Sequence, residues 1–342
     1  MKRLRVIVLV HADLLPPESI KGMEEKEVER IKTEFDVADT LREMGHEVQV
    51  LGVFDDLSPI RSSLDGFEPH ALFNLLMEFQ DVGAYQAHVV SYLELLNVPF
   101  TGCNSLGIQL SRDKALAKKI MRFHRIPSAR FAVFAKGRRV RVRRELRYPL
   151  IVKSVDEEAS LGISQASVVS DEAKLRERVG FVHEKVGTAA IAEEYIEGRE
   201  FTVSVIGNDR LTTFPTWELR FENLPEGSLP IATARAKWDL KYQRKVGIKT
   251  GAAEDLSPEL QARIARITKR VYRVLELSGY ARLDLRVTPE GHVYVIEANA
   301  TPDISADEDF ALSAKAAGLS YPQLLQRIAK LGMSYRPRWR LD

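Results

Sequence analysis

Two carboxylates and an amide fall close together in the pattern of the C-terminal third of the chain. Apolar residues alternate with polar ones on both sides of a Pro289-Glu-Gly turn, which predicts a β-hairpin. Asp284 lies on the first strand, and Glu297 and Asn299 lie on the second, at positions that pairing makes neighbours. Oxygen donors suit a hard cation such as Mg²⁺, which is held by one or two carboxylates together with substrate phosphates. On the residues alone, the alternative is a surface hairpin with solvated acids.

The period of two assigns faces to both predicted strands. On the first strand it separates the apolar residues from Arg282, Asp284 and Arg286. On the return strand it places on one side Val293, Val295, Glu297 and Asn299. We therefore expect Glu297 and Asn299 to lie on the same face of the return strand as Val293 and Val295.

The composition bounds the class of protein. A chain of 342 residues can form two or three domains, and 50 basic against 48 acidic residues leave no field that would recruit nucleic acid or membrane. Cys103 is the one cysteine, which excludes an internal disulfide framework and predicts a reducing, cytoplasmic compartment. The apolar run near the N-terminus is cut short at His11 and predicts a buried strand rather than a signal peptide. No run is apolar for long enough to span a bilayer.

Alternating strands and helices predict a parallel α/β domain over residues 1–112. The expected strands are 6–10, 47–53, 71–75 and 98–102, and the expected helices are 24–44 and 85–96. Neither Gly-x-Gly-x-x-Gly after the first strand nor a Walker-type glycine-rich motif is present, so a nucleotide must be bound in another way.

The remainder mixes both element types. Strands are expected at 130–134 and 148–153, and helices from Asp113, over 171–183 with Ser170 as cap, over 257–278, and over 306–318 and 321–332. Residues 216–253 lose periodicity, which predicts a long irregular insertion with a function. The scattered histidines, His11 and His88 among them, show no metal-ligand spacing and are interpreted as structural or surface residues.

The hairpin motifs carry a resemblance to a known family. Arg282-Leu-Asp followed by Val295-Ile-Glu-Ala-Asn-Ala-Thr-Pro302 resembles the magnesium signature of the ATP-grasp superfamily, and closely that of its D-alanyl-D-alanine ligase branch. The resemblance implies an α/β (α+β) ATP-grasp fold, with the N-terminal domain followed by two ATP-gripping lobes over 113–192 and 193–342. It implies that Asp284, Glu297 and Asn299 hold two Mg²⁺ ions, or Mn²⁺, on the phosphates of ATP. Arg282 would face the reacting acyl phosphate.

Further positions match the family in the same order. The resemblance makes Lys114 and Lys153 the ATP lysines, places Ser160 in a glycine-rich loop over the phosphates, and aligns Lys237 and Trp238 with the pair on the substrate-covering loop. It assigns the adenine amino group to Glu193, the lining of the base to Glu194, Tyr195 and Ile196, and the ribose hydroxyls to Glu200. Taken singly, these could be solvated helix lysines and exposed strand acids.

The implied reaction is ATP-dependent joining of a small-molecule carboxylate to an amine through an acyl phosphate. The family's substrate elements are not recognisable after the first and third strands, and Glu308-Asp309 stands where a Ser-Leu pair meets the second substrate's carboxylate. Asp303 replaces a glycine there. These acids predict an amine with additional positive charge, or else they form the solvated first turn of a helix, where acids are favoured.

Two other functions remain open on the sequence. The chain could be an authentic D-alanine–D-alanine ligase with unusual loops. It could also be a non-catalytic nucleotide- or nucleic-acid-binding protein that uses the basic stretch 138–147, although a solvated edge segment explains that stretch better. Family members pair through their first domain, so the resemblance also suggests a homodimer.

Overall fold

The computed structural model describes residues 3–141, 145–156 and 161–337. The strands are β1 (Arg5–His11), β2 (Glu47–Val53), β3 (Ala71–Asn74), β4 (Phe131–Phe134), β5 (Leu150–Ser154), β6 (Val168–Val169), β7 (Ala190–Glu194), β8 (Arg199–Ile206), β9 (Thr212–Thr213), β10 (Trp217–Phe221), β11 (Ile248–Ala252), β12 (Tyr280–Val287) and β13 (Val293–Asn299). The helices are α1 (Glu25–Glu43), α2 (Ser58–Phe67), α3 (Gln86–Leu95), α4 (Ser105–Arg112), α5 (Lys114–Phe123), α6 (Glu172–Phe181), α7 (Ala234–Trp238), α8 (Leu240–Val246), α9 (Pro258–Val274), α10 (Asp309–Ala316) and α11 (Tyr321–Ser334).

The N-terminal region is the predicted parallel sheet, with strand order β2-β1-β3. β1 is central and nearly all of it is buried, which explains its uninterrupted apolar run. The expected fourth strand at 98–102 is wrong, because only Phe100 makes a bridge, to Leu72. Helix α2, which begins with a proline in its first turn, was not predicted.

The middle of the chain forms a four-stranded antiparallel sheet in the order β4-β7-β5-β6. Helix α5 begins after Asp113, whose carboxylate accepts a hydrogen bond from the Leu116 amide at 2.8 Å, as its position predicts. The predicted cap of α6 is wrong by one residue. Asp171 rather than Ser170 accepts a hydrogen bond from the Lys174 amide, at 2.9 Å. Asp171 is the residue with extended backbone conformation directly before the first helical residue.

A larger sheet in the order β11-β10-β8-β12-β13, with β9 beside β8, forms the C-terminal part. The prediction that 216–253 is irregular is wrong, since β10 and β11 pair there and α7 and α8 lie between them. Helix α9 begins after Ser257, as predicted, and ends at Val274, before the predicted end near residue 278. Helix α10 begins at Asp309, later than the predicted residue 306.

One hydrophobic cluster joins the N-terminal and C-terminal parts. Val6, Val8 and Val10 of β1 pack in the same cluster as Phe310 of α10 and Leu324 of α11. This packing fixes the carboxyl edge of the first sheet relative to the loop that follows the hairpin. Among the described residues, no helix has both the length and the apolar character needed to cross a membrane.

Candidate active site

The predicted hairpin is present and brings the metal-ligand candidates together. β12 and β13 pair antiparallel, with Asp284 opposite Glu297 and Arg282 opposite Asn299. The Asn299 side-chain amide donates to Asp284 Oδ2 at 3.3 Å, and Arg282 Nε donates to Asp284 Oδ1 at 3.0 Å. We call Asp284, Glu297 and Asn299 the metal triad. Two carboxylates and an amide oxygen are a donor set that fits Mg²⁺.

The assignment of faces on the return strand is wrong, and a β-bulge is the reason. The register shifts between Asp284 and Leu285, so that Leu285 pairs with Val295 while Asp284 pairs with Glu297. Ile296 is the extra residue, and an extra residue moves every later side chain to the other face. Val295 is therefore fully buried in the core, whereas Glu297 lies beside Asp284.

Three lysines converge on the hairpin from other elements. Lys118 Nζ lies 3.1 Å from Glu193 Oε2 and also donates to the carbonyl oxygen of Ile296 at 3.1 Å. Lys153 Nζ lies 3.1 Å from Glu193 Oε1, and Lys114 Nζ lies 3.9 Å from Glu297 Oε2. We call the three lysines with Glu193 the lysine cluster. It adjoins the metal triad through Glu297 and through the bulged residue.

The charges in the lysine cluster depend on each other. Burial alone would raise the pKa of Glu193, but Lys118 and Lys153 outweigh burial and hold that pKa below its ordinary value. Burial lowers the pKa of Lys118, whereas for Lys153 the attraction of Glu193 and Glu297 exceeds the effect of burial and raises the pKa. One carboxylate thus holds two buried ammonium groups beside the metal triad.

Sequence reasoning missed Lys118 and assigned Glu193 differently. Lys118 follows Lys114 by four residues, the spacing that places two side chains on one helix face, and this signal could have identified it. Glu193 is 1% exposed and already faces two ammonium groups, so the structure places it in the lysine cluster. Its contact with adenine stays a prediction.

The residues predicted to bind the base and ribose are gathered by Arg286, which the sequence reasoning did not assign. Arg286 Nη2 lies 2.7 Å from Glu200 Oε2, and Nη1 donates to the Tyr195 hydroxyl at 3.0 Å and to the Ile196 carbonyl at 3.3 Å. Burial lowers the pKa of Arg286, but Glu200 and Tyr195 raise it by more. Glu194 turns away and accepts the amide of Arg147 at 3.0 Å.

The predicted covering loops are described in part. Ser160 lies outside the described residues, and Gly162 after it has a φ of 72°, the left-handed conformation that glycine favours. The Gly162 carbonyl accepts a hydrogen bond from Arg178. Lys237 and Trp238 lie in α7, and their side chains are outside the described part. The described residues of the basic stretch 138–147 other than Leu146 are exposed or partly exposed, as the solvated-edge interpretation expects.

The loop after the hairpin meets helix α1 in a group of acids, which we call the acidic cluster; its members are Glu34, Asp36, Asp303, Asp307 and Glu308. Asp303 Oδ1 accepts from the Thr33 hydroxyl at 2.9 Å, Asp36 Oδ2 accepts the Ala306 amide at 2.9 Å, and Asp307 Oδ2 lies 2.6 Å from Lys32 Nζ. The sequence pointed to Asp303 and Glu308 but not to the contribution of α1.

Three members of the acidic cluster, Glu34, Asp36 and Glu308, have raised pKa values, with burial as the largest cause in each. Burial, followed by the nearby charges of Asp303 and Asp309, raises the pKa of Glu308 to about 7. Burial also raises the pKa of Glu34 to about 7, and Asp303 adds to the shift. Both carboxyls therefore titrate near neutral pH, and a bound cation would favour their charged forms.

The family model and the similar proteins of known sequence agree on one family for this chain. The family model described as the D-ala D-ala ligase C-terminus matches residues 120–330. An uncharacterized protein, y4sG, of Sinorhizobium fredii is 31% identical, over 85% of this chain and 84% of its own length. The D-alanine–D-alanine ligase of Desulfotalea psychrophila is 30% identical, over 72% of this chain and 73% of its own.

Solved structures agree on the fold. A D-alanine–D-alanine ligase from Bacillus anthracis, in complex with ATP, superposes with a TM-score of 0.74 at 22% identity, over 96% of this chain and 97% of that one. The VanG D-Ala:D-Ser ligase from Enterococcus faecalis superposes with a TM-score of 0.69 at 18% identity, over 96% and 99%. The predicted ATP-grasp architecture is thereby confirmed.

Proposed function

The chain belongs to the family of D-alanine–D-alanine ligases, which are ATP-dependent, and we propose that its own reaction joins a carboxylate to an amine that carries additional positive charge. The observation that carries the ligase activity is the junction of the metal triad with the lysine cluster, where Lys114 Nζ lies 3.9 Å from Glu297 Oε2 and Lys118 binds the bulged Ile296 carbonyl. Oxygen ligands and ammonium groups meet there, as phosphoryl transfer requires.

Each part of the proposed site has its own task. Asp284, Glu297 and Asn299 would hold magnesium, two ions by the family resemblance, and the metal supplies positive charge to the phosphates when bound. Lys114, Lys118 and Lys153 would bind phosphate oxygens, and Lys153 would offset the charge that develops on the transferred phosphoryl group. Arg282 is held by Asp284 and would orient the acyl phosphate.

The reaction then follows from the placement of these groups. The substrate carboxylate attacks the γ-phosphorus of ATP and releases ADP, which gives an acyl phosphate. The amine attacks the acyl carbon and phosphate leaves, so that an amide bond forms and the amine gives up a proton. No side chain becomes covalently bound, which agrees with the lack of a nucleophile in the sequence patterns. We place the reaction in the cytoplasm, where the buried and unpaired Cys103 would stay reduced.

The acidic cluster supports a cationic amine. The alternative of a solvated helix turn accounts for Asp307, Glu308 and Asp309, but not for Glu34 and Asp36, which α1 brings to the same loop. A plain carboxylate ligand would be repelled at this place, whereas a second ammonium group would be attracted. D-Alanine as both substrates fits the named relatives, and it is the second candidate.

Phosphate release from Mg-ATP tests the proposal. Pools of amino acids and of basic amines, with D-alanine in a pool of its own, are compared between the wild type and Glu297→Gln. Pool-dependent release that disappears in the variant supports a ligase, and release that needs a diamine or basic amino acid supports the cationic amine. Efficient dipeptide formation from D-alanine alone would contradict the substrate assignment while leaving the ligase activity in place.

A further inference from the structure

A second group of metal-ligand side chains lies in the N-terminal sheet rather than on the hairpin. His11 is the last residue of β1, and Glu78 and Asp81 follow the end of β3. One ligand atom from each, an imidazole nitrogen and two carboxylate oxygens, all lie within 4.8 Å of one another. In open α/β sheets, ligands bind at the carboxyl ends of the strands, which is where this group stands.

His11 has a buried nitrogen that nothing satisfies in the described part of the chain. The residue is 4% exposed, and its Nε2 has no hydrogen-bond partner there. Asp81 Oδ1 is 3.8 Å away, beyond hydrogen-bond distance. An edge contact with Phe54, with ring centroids 5.4 Å apart, holds the imidazole in place. A buried polar atom of this kind is expected to have a partner, and here it points toward two acids.

The loop that carries Glu78 and Asp81 lies against His11 with two residues in an unfavourable backbone conformation. Gln80 and Asp81 both have a φ of 56°, which non-glycine residues seldom adopt in succession. The Val82 amide bonds to the Phe79 carbonyl at 3.0 Å, and the Gln80 amide bonds to the Phe54 carbonyl at 2.9 Å. These bonds fix the turn, so Asp81 stays beside the imidazole.

We propose that His11, Glu78 and Asp81 bind a borderline divalent cation of the Zn²⁺ class. One imidazole with two carboxylates is a donor set that zinc accepts, whereas the all-oxygen metal triad suits the harder Mg²⁺. In a tetrahedral site with zinc–ligand bonds of about 2 Å the ligand atoms lie about 3.3 Å apart. The ligand atoms here lie within 4.8 Å of one another, so they must approach by up to about 1.5 Å, which the exposed Asp81 side chain allows. Three protein ligands leave a coordination position for water or a small-molecule donor.

Zinc binding requires a proton to change place on the ring. The Asp13 amide donates to His11 Nδ1 at 3.3 Å, so Nδ1 carries the lone pair and Nε2 the proton in the neutral ring. A cation bound at Nε2 needs a lone pair on that nitrogen. The proton therefore moves from Nε2 to Nδ1, and the long hydrogen bond from the Asp13 amide to Nδ1 is lost. Binding therefore has a spectroscopic signature that a purely structural histidine would not show.

Calorimetric titration of the full chain with Zn²⁺, in excess Mg²⁺ and without ATP, tests the site. We expect one zinc ion per chain. His11→Asn keeps an acceptor near the Nδ1 position but lacks Nε2, and Asp81→Asn changes an exposed residue. Each variant should weaken zinc binding by more than about tenfold. The reason is that even the loss of an outer-shell partner typically costs about 10- to 100-fold in metal affinity. His88→Asn, at an exposed histidine, is the matched control and should change nothing.

The ¹⁵N resonances of the His11 ring provide the second measurement. On zinc binding, the proton should leave Nε2 and appear on Nδ1. The proposal is overturned if the wild type takes up no zinc in excess magnesium, if binding falls in Asp284→Asn but not in His11→Asn, or if the ring resonances do not move. Because the titration involves neither ATP nor turnover, its failure leaves the proposed ligase activity untouched.

Discussion

The lysine cluster and the acidic cluster differ in what surrounds their charged groups. In the lysine cluster, Glu193 lies between Lys118 and Lys153, each 3.1 Å away, so that every charge has an opposite neighbour. In the acidic cluster, carboxylates adjoin one another, Lys32 pairs with Asp307, and the pKa values of Glu34 and Glu308 are raised to about 7. In the first region each charge has a partner in advance, although the three lysines outnumber Glu193. The second, under the proposed function, would bind a cation from outside.

Under the proposed function, the two regions would serve different steps. Nucleotide phosphates are bound by groups that must be rigid and charged before the ligand arrives, and mutual pairing achieves both. A specificity site instead gains selectivity by leaving a charge that only the right ligand neutralises. The following changes test this contrast, beginning with the largest expected effect.

Glu193→Gln should lower the free energy of unfolding by about 3–5 kcal/mol, because it leaves two buried lysines without their shared counter-charge. Urea unfolding measures the loss. Glu194→Gln on the same strand keeps an oxygen for the Arg147 amide and should stay within about 0.5 kcal/mol of the wild type. A loss below about 1 kcal/mol in Glu193→Gln would show that the cluster is not balanced by this carboxylate.

Asp284→Asn should reduce kcat for phosphate release by about 100-fold or more, since it removes a carboxylate from the metal triad and also frees Arg282. Steady-state assays at saturating Mg-ATP measure it. Glu290→Gln, in the turn of the same hairpin, serves as control and should keep full activity. Equal rates in both variants would remove the triad from the reaction.

KM for the amine should rise by roughly fivefold as the pH is lowered from about 7 to about 6, since the ionised fraction of a carboxyl with a pKa near 7 falls from about one half to about one tenth. Glu308 and Glu34, with pKa values near 7, gain protons as the pH falls and lose the negative charge that attracts the amine. Glu308→Gln should raise KM at pH 8 and flatten the profile. A KM independent of pH from 6 to 8 would argue that the cluster does not meet the amine.

Lys32→Met should have the smallest effect, in the opposite direction. Removing the partner of Asp307 makes the acidic cluster more negative, so KM for a cationic amine should fall. The fall should be at most about fivefold, because an ion pair with a solvent-exposed partner such as Asp307 contributes about 0–1 kcal/mol. Stability should change little. A higher KM in this variant would mean that Lys32 binds the substrate itself.

The sequence determined much of the fold and predicted most of the members of the candidate site. Period-two alternation predicted the hairpin, and the order of motifs led to Asp284, Glu297, Asn299, Lys114 and Lys153, because strand pattern and motif order are properties of local sequence. Helix starts were predicted where a side chain caps the amides next to it, as at Asp113 and Ser257.

Tertiary structure decided what depends on contacts between distant residues. The bulge at Ile296 exists because β12 pairs with β13 in a shifted register, and no alternation within one strand reports the register of its partner. Glu193 meets Lys118, and Arg286 meets Glu200, only when separate elements pack together. The acidic cluster and the His11 group likewise arise where the first sheet and its helix meet other loops. The sequence determines which side chains are present, but tertiary packing determines which charged groups face each other.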